Sequence, residues 1–221
     1  MRRSAAMAIL LGTIGVTAGC GGDAGWRPLF DGRTTAGWRG YRADTVPAGW
    51  QVVDGALTRA ERGGDLITTD QFTDFELTLE WRVDAAGNSG VFYRATEDTE
   101  RIYENALEMQ VLDDAGHPDG QSRLTSAGSL FGLYPVPEGV VKPAGEWNTA
   151  RVVVDGNHVE HWLNGTKVVE YELWSPEFER RVRESKFAQW PAFARAPRGH
   201  IGLQDHGDRA AYRNIRLREL P

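Results

Sequence analysis

The sequence is poor in cysteine, in long apolar runs and in clustered basic residues. Its one cysteine, Cys20, allows no disulfide within the chain, so a large hydrophobic core has to stabilise the fold. No segment approaches the ~20 consecutive apolar residues that a membrane-spanning helix needs. The formal net charge is −6, and no stretch rich in Lys and Arg offers the basic surface that nucleic acids require. These deficits argue against an integral membrane protein and against a nucleic-acid partner.

The first twenty residues have the pattern of an export signal. Two arginines near the start precede a short apolar run over residues 5–16, and Thr17-Ala18-Gly19-Cys20 places small residues before the single cysteine. This resembles a lipobox, although Thr17 stands where leucine is commonest. We therefore predict a signal peptide over residues 1–19, a lipid anchor at Cys20 and a flexible tether over 20–25. The protein would then be exported and membrane-anchored, on the periplasmic or outer-membrane face. The alternative is an ordinary secretory signal with an incidental cysteine.

The remaining sequence has the periodicity of β-strands. Residues 75–83 and 107–111 alternate apolar and polar side chains, as half-buried strands do. Residues 151–171 form three such runs separated by Gly156-Asn157 and Asn164-Gly165, which predicts a three-stranded meander. Only residues 176–187, which follow a serine cap and begin with proline, are typical of a helix. We predict an all-β sandwich of two sheets with one short helix near 176–187, forming a single domain over 26–221.

Several segments resemble one known family. They follow one another in the order Leu29-Phe30-Asp31-Gly32, Gly87-Asn88-Ser89-Gly90, Glu108-Met109-Gln110-Val111-Leu112-Asp113, and Gly202-Leu203-Gln204-Asp205-His206-Gly207. Together they resemble the 3-keto-disaccharide hydrolase domain family over about residues 27–219. The resemblance implies a jelly-roll fold of the concanavalin A-like lectin and glucanase type. It also implies cleavage of 3-keto-glycosides, by 1,2-elimination and rehydration or by net hydrolysis.

Two strands place polar side chains opposite apolar ones. Glu108 and Gln110 alternate with the apolar Leu107, Met109 and Val111, and therefore share the face that does not point into the core. By the same alternation we expect Gln204 and His206 to point away from the core, because Ile201 and Leu203 point inward. A glutamate can move protons, and the unperturbed pKa of histidine lies nearest neutrality. We take Glu108 and His206 as catalytic candidates, and Gln110 and Gln204 as substrate-binding candidates. The alternative is a solvated outer face.

Loops supply the other candidates. Asn88, Arg94, Lys142 and Trp147 lie in or beside segments that we expect to be loops, where binding residues concentrate. Arg94 and Lys142 are the cations that we expect to face a ketone or a developing enolate, and Trp147 is the expected stacking platform. The alternatives are surface salt bridges for the two cations and a core position for the tryptophan.

We expect neither a metal nor a cofactor. His158 and His161 are three residues apart on one predicted strand, and an odd spacing places their side chains on opposite faces. Asp113, Asp114 and His117 are better explained as an aspartate-rich turn than as a metal site. The expected partners are a carbohydrate substrate and, through the lipid, a membrane. The rival interpretation is a non-catalytic carbohydrate-binding lipoprotein with the same fold, which would tolerate loss of Glu108.

Overall fold

A computed structural model describes residues 25–221, which form two antiparallel β-sheets packed face to face. The predicted signal peptide, Cys20 and all but the last residue of the predicted tether lie outside the described residues. The prediction of an all-β, two-sheet sandwich with one helix is confirmed. Within residues 25–221, no helix has the length and apolar character to cross a membrane.

The large sheet has eight strands, in the order β11-β10-β9-β6-β13-β4-β3, with β1 paired to β13. Its strands are β1 (Arg27–Pro28), β3 (Trp50–Val53), β4 (Ala56–Arg59), β6 (Phe75–Val83), β9 (Asn148–Asp155), β10 (His158–Leu163), β11 (Thr166–Glu172) and β13 (Ala210–Glu219). The predicted meander is confirmed as β9-β10-β11. Asn164 and Gly165 between the last two strands have φ angles of 50° and 83°, as the tight turn of a hairpin requires.

The small sheet has five strands, in the order β2-β5-β12-β7-β8. They are β2 (Trp38–Gly40), β5 (Leu66–Thr68), β7 (Asn88–Ala95), β8 (Leu107–Leu112) and β12 (His200–Leu203). The alternating residues of β6, which are Phe75, Leu77, Leu79, Trp81 and Val83, meet Leu107, Met109 and Val111 of β8 in the core between the sheets. Glu108 and Gln110 therefore point to the opposite face of the small sheet, as the alternation predicts.

The predicted helix is shorter than expected. It runs over Pro176–Arg183, where Ser175 Oγ accepts a hydrogen bond of 3.2 Å from the Phe178 amide. The chain then bends, and a separate 3₁₀ turn follows over Lys186–Gln189. Ser185 caps this turn by accepting a hydrogen bond of 3.1 Å from the Phe187 amide. The second serine cap thus divides the predicted helix into two elements, because it holds the chain in an extended conformation between them.

The segment 128–131 adds to the open edge of the small sheet. Its backbone pairs with β8 through bonds from Gly128 N to Gln110 O, from Gln110 N to Ser129 O and from Phe131 N to Glu108 O. These bonds satisfy the outer backbone groups of β8. They also bring the side chain of Phe131 beside Glu108.

Candidate active site

A cavity of about 190 Å³ opens on the face of the small sheet that points away from the core. Strands β8 and β7 and the segment that follows β12 supply its floor, and the segments around residues 103, 131 and 186 supply its walls. Its lining residues are Asp65, Asn88, Tyr103, Glu108, Gln110, Phe131, Lys186, Phe187, Gln204, Asp205 and His206. The structure thus brings together five of the residues chosen from the sequence, namely Asn88, Glu108, Gln110, Gln204 and His206.

Glu108 is a buried carboxyl that forms no ion pair among residues 25–221. Its side chain is 7% exposed and lies over Gly90 of β7, where a Cβ atom would come within 2.3 Å of Glu108 Oε1. Glycine at position 90 therefore leaves the room that this carboxyl needs. Burial raises the pKa of Glu108 to about 8, and Asp65 adds to the rise, whereas the Lys186 ammonium opposes it. A carboxyl with this pKa can exchange a proton near neutral pH.

Three amide side chains surround Glu108 with unused hydrogen-bonding capacity. Asn88 Oδ1, Gln204 Oε1 and both polar side-chain atoms of Gln110 are buried and have no hydrogen-bond partner within residues 25–221. Buried polar atoms without a partner are uncommon in folded proteins, because their desolvation costs about 1–3 kcal/mol each. Amides can both donate to and accept from hydroxyl groups. This floor is suited to a ligand rich in hydroxyls.

Lys186 is the cation of the pocket. Its ammonium lies 4.3 Å from the ring centroid of Phe131 and 5.3 Å from that of Phe187. No carboxylate pairs with it in the described part of the chain, so its charge is available to a ligand. Lys186 was not among the residues chosen from the sequence; it falls in the last turn of the predicted helix, where a lysine is usual.

His206 reaches the pocket by a different route from the one predicted. β12 ends at Leu203, and Asp205 then draws the chain aside by pairing with Arg59 at 2.7 Å and accepting the Gly63 amide at 2.7 Å. The alternation of side chains along β12 therefore does not determine where His206 points. Its exposed ring lies at the mouth of the cavity, edge-on to His117 with the ring centroids 6.2 Å apart.

Arg94, Lys142 and Trp147, which were predicted to bind substrate, do not line this pocket. Arg94 belongs to β7 and has a left-handed φ of 52°, and its buried guanidinium donates to Gly156 O at 2.8 Å. Lys142 Nζ donates to the backbone carbonyl of Trp147 at 2.9 Å. Trp147 immediately precedes β9 of the large sheet, and two arginines lie over its ring at 4.8 and 4.1 Å. The predicted cations and stacking ring thus have partners elsewhere.

A group of closely spaced possible metal ligands lies away from the cavity. In residues 25–221, the group with ligand atoms close enough together is His158, Glu160 and Glu170, none of which lines the pocket. Lys167 pairs with both glutamates, at 3.2 and 2.8 Å. Asp113 has the turn-forming role expected for it, since its Oδ1 accepts the Ala115 amide at 3.3 Å.

The chain is similar to known proteins over nearly all of the described residues. The model of the 3-keto-alpha-glucoside-1,2-lyase-like domain family matches residues 25–218. A curated protein of Bacteroides thetaiotaomicron named 3-keto-disaccharide hydrolase is 40% identical over 228 aligned residues, which cover 89% of this chain and 79% of the relative.

Two solved structures from Parabacteroides distasonis, both described as candidate glycosyl hydrolases, have the same fold. One is 28% identical with a TM-score of 0.84, covering 89% of this chain and 94% of that one. The other is 31% identical with a TM-score of 0.70, covering 88% and 99% of the two chains.

Proposed function

Because the chain belongs to the family of 3-keto-alpha-glucoside-1,2-lyase-like domains, we propose that it is a glycoside-cleaving enzyme that acts on 3-keto-glycosides. The supporting observation is the buried carboxyl of Glu108, which has no ion-pair partner within residues 25–221 and lies among amides that have free hydrogen-bonding capacity. The name of the curated relative, 3-keto-disaccharide hydrolase, refers to the same class of substrate. The three amides would hold the sugar hydroxyls, and Glu108 would exchange a proton with the substrate.

The chemistry of a 3-keto sugar explains why this site would suffice. A ketone at C3 acidifies the hydrogen on C2, because removing that hydrogen gives an enolate. The enolate can expel the substituent on C1, and water can then add to the resulting double bond, so that the net reaction is hydrolysis. Such a site needs a base, an acid for the leaving group and a positive group beside the enolate oxygen. We assign the last role to Lys186, in place of the two cations chosen from the sequence.

A non-catalytic binding module is the less favoured function. Hydroxyl recognition alone needs no buried carboxyl, and removing such a group from water without a cationic partner costs stability. The tryptophan expected to stack on a sugar, Trp147, also lies outside the cavity and under two arginines. Glu108 is therefore better explained by proton transfer than by binding.

Exchanging Lys186 for methionine tests the proposed site. Lys186→Met keeps the aliphatic stem over the two phenylalanines but removes the charge, so the kcat for 3-keto-trehalose cleavage should fall on the order of 10²-fold. Lys142→Met is the matched control, because Lys142 was the cation first expected here and lies outside the pocket. Equal rates for the Lys186 variant and the control would remove Lys186 from the reaction.

We also propose that Cys20 carries lipid and anchors the enzyme, exported, on the periplasmic or outer-membrane face. The support is the sequence alone, in which small residues separate an apolar run from the single cysteine. Cys20→Ser should shift the protein from the membrane fraction to the soluble fraction of cells, as fractionation and immunoblotting would show. A variant that remains in the membrane fraction would contradict the anchor.

A further inference from the structure

A second carboxyl, Asp65, lies in the same cavity and was not among the residues chosen from the sequence. It immediately precedes β5, and the pairing of β5 with β12 brings it beside the segment that follows β12. One of its oxygens accepts a hydrogen bond of 2.8 Å from the Asp205 amide, and the residue lines the pocket. Within residues 25–221 no cation forms an ion pair with it, so its charge is not committed to holding the fold.

The neighbouring Asp205, in contrast to Asp65, is an aspartate whose carboxylate is engaged in holding the fold. Its carboxylate pairs with Arg59 at 2.7 Å and accepts the amides of Gly63 and Gly64 at 2.7 and 2.8 Å. Those partners leave Asp205 little capacity for a substrate. Asp65 accepts a single backbone donor, and its other oxygen has no hydrogen-bond partner within residues 25–221.

We propose that Asp65 is the base that removes the C2 proton and that Glu108 is the acid that protonates the leaving group; this assignment rests on the proposed function. Both carboxyls line one cavity, and the charge of Asp65 contributes to the raised pKa of Glu108. Two carboxyls that repel each other hold one proton between them over a range of pH, as an acid–base pair must. His206 is less suited to be the partner of Glu108, because its ring is exposed at the mouth.

The surroundings decide which of the two carboxyls keeps the proton. The Asp205 amide stabilises ionised Asp65, although burial and the charge of Asp205 raise the pKa of Asp65 to about 6. Glu108 is enclosed over Gly90, and burial raises its pKa further, to about 8. Near neutral pH, Asp65 is therefore the ionised group and Glu108 the protonated one.

The reaction balances with these two groups and water. Asp65 takes the C2 proton, and the electrons of the C2–H bond form a C2–C3 double bond while negative charge moves to the ketone oxygen beside Lys186. When the ketone re-forms, a C1–C2 double bond appears, the C1–O bond breaks and the departing oxygen takes the proton of Glu108. Water then adds in reverse: its oxygen bonds to C1 as Glu108 takes its proton, and Asp65, whose carboxyl proton has exchanged with solvent in the meantime, gives a proton to C2. Both carboxyls end as they began.

The test separates the base from the acid by changing the leaving group. Asp65→Asn still accepts the Asp205 amide through its side-chain oxygen, and Glu108→Gln keeps the size of the side chain. Each variant is incubated in heavy water with 3-keto-trehalose and with 4-nitrophenyl 3-keto-α-glucoside, whose leaving group needs no proton. Cleavage and deuterium uptake at C2 are measured above the rate without enzyme, and thermal unfolding checks the fold. Asp70→Asn, an exposed aspartate paired with Arg27, is the control.

The assignment predicts a distinct result for each variant. Asp65→Asn should lose cleavage of both substrates and deuterium uptake at C2, each on the order of 10²-fold or more. Glu108→Gln should lose cleavage of 3-keto-trehalose, retain uptake at C2 and lose much less on the nitrophenyl substrate. The reverse pattern, or a folded Asp65→Asn variant as active as the control, would overturn the assignment while leaving the proposed function intact. Absence of cleavage by the unaltered protein would instead reject the proposed function.

Discussion

Replacing Glu108 by glutamine should lower the rate of 3-keto-trehalose cleavage on the order of 10²-fold or more, because glutamine cannot transfer a proton in the reaction. The fold should be unaffected. Burial raises the pKa of Glu108 to about 8, so the carboxyl is largely uncharged at pH 7. Replacing it with an uncharged amide therefore changes the charge of the site very little. The amide also fits the space over Gly90 that the carboxyl occupies.

The matched control for this variant is Glu100→Gln, which alters an exposed glutamate outside the cavity. Its rate and its melting temperature should equal those of the unaltered protein. A Glu108→Gln variant that folds and keeps full activity would remove Glu108 from catalysis and restore the binding module as the better explanation. A variant that fails to fold would show that the carboxyl is needed by the structure.

The sequence predicted the features that depend on neighbours in the chain. The alternation over residues 107–112 placed Glu108 and Gln110 on the face opposite the core, because successive side chains of a strand point to opposite faces. The hairpin at Asn164-Gly165 was recognised because its φ angles favour those two residues. The helix start at Ser175 was recognised for a similar reason, since its cap is formed within three residues.

The sequence was less informative where distant segments meet. Nothing in the local pattern indicates that Trp147 leads into the large sheet while Glu108 belongs to the small one. The same reasoning applies to Asp65, which the pairing of β5 with β12 brings into the cavity across about 140 residues of chain. His206 lines the cavity, as expected, but not because of strand alternation: β12 ends at Leu203, and the contacts of Asp205 set the course of the chain that follows.

Unoxidised disaccharides should not be cleaved at a measurable rate. This difference in rate between unoxidised and 3-keto disaccharides is the largest effect that we expect. Without a ketone at C3, the hydrogen on C2 is not acidic, and neither Asp65 nor Glu108 can remove it. An ordinary retaining glycosidase would instead need two carboxyl groups about 5–5.5 Å apart on either side of the glycosidic bond, one of them acting as the nucleophile. Discrimination by the ketone is therefore the property that distinguishes the proposed chemistry.

The most direct measurement incubates the protein with trehalose and, separately, with 3-keto-trehalose in heavy water, and follows released hexose and deuterium at C2 by mass spectrometry. The proposed chemistry predicts release from 3-keto-trehalose alone, with deuterium at C2 of the released 3-keto sugar above the level reached without enzyme. Comparable release from trehalose, or cleavage of 3-keto-trehalose that leaves C2 free of deuterium, would contradict it.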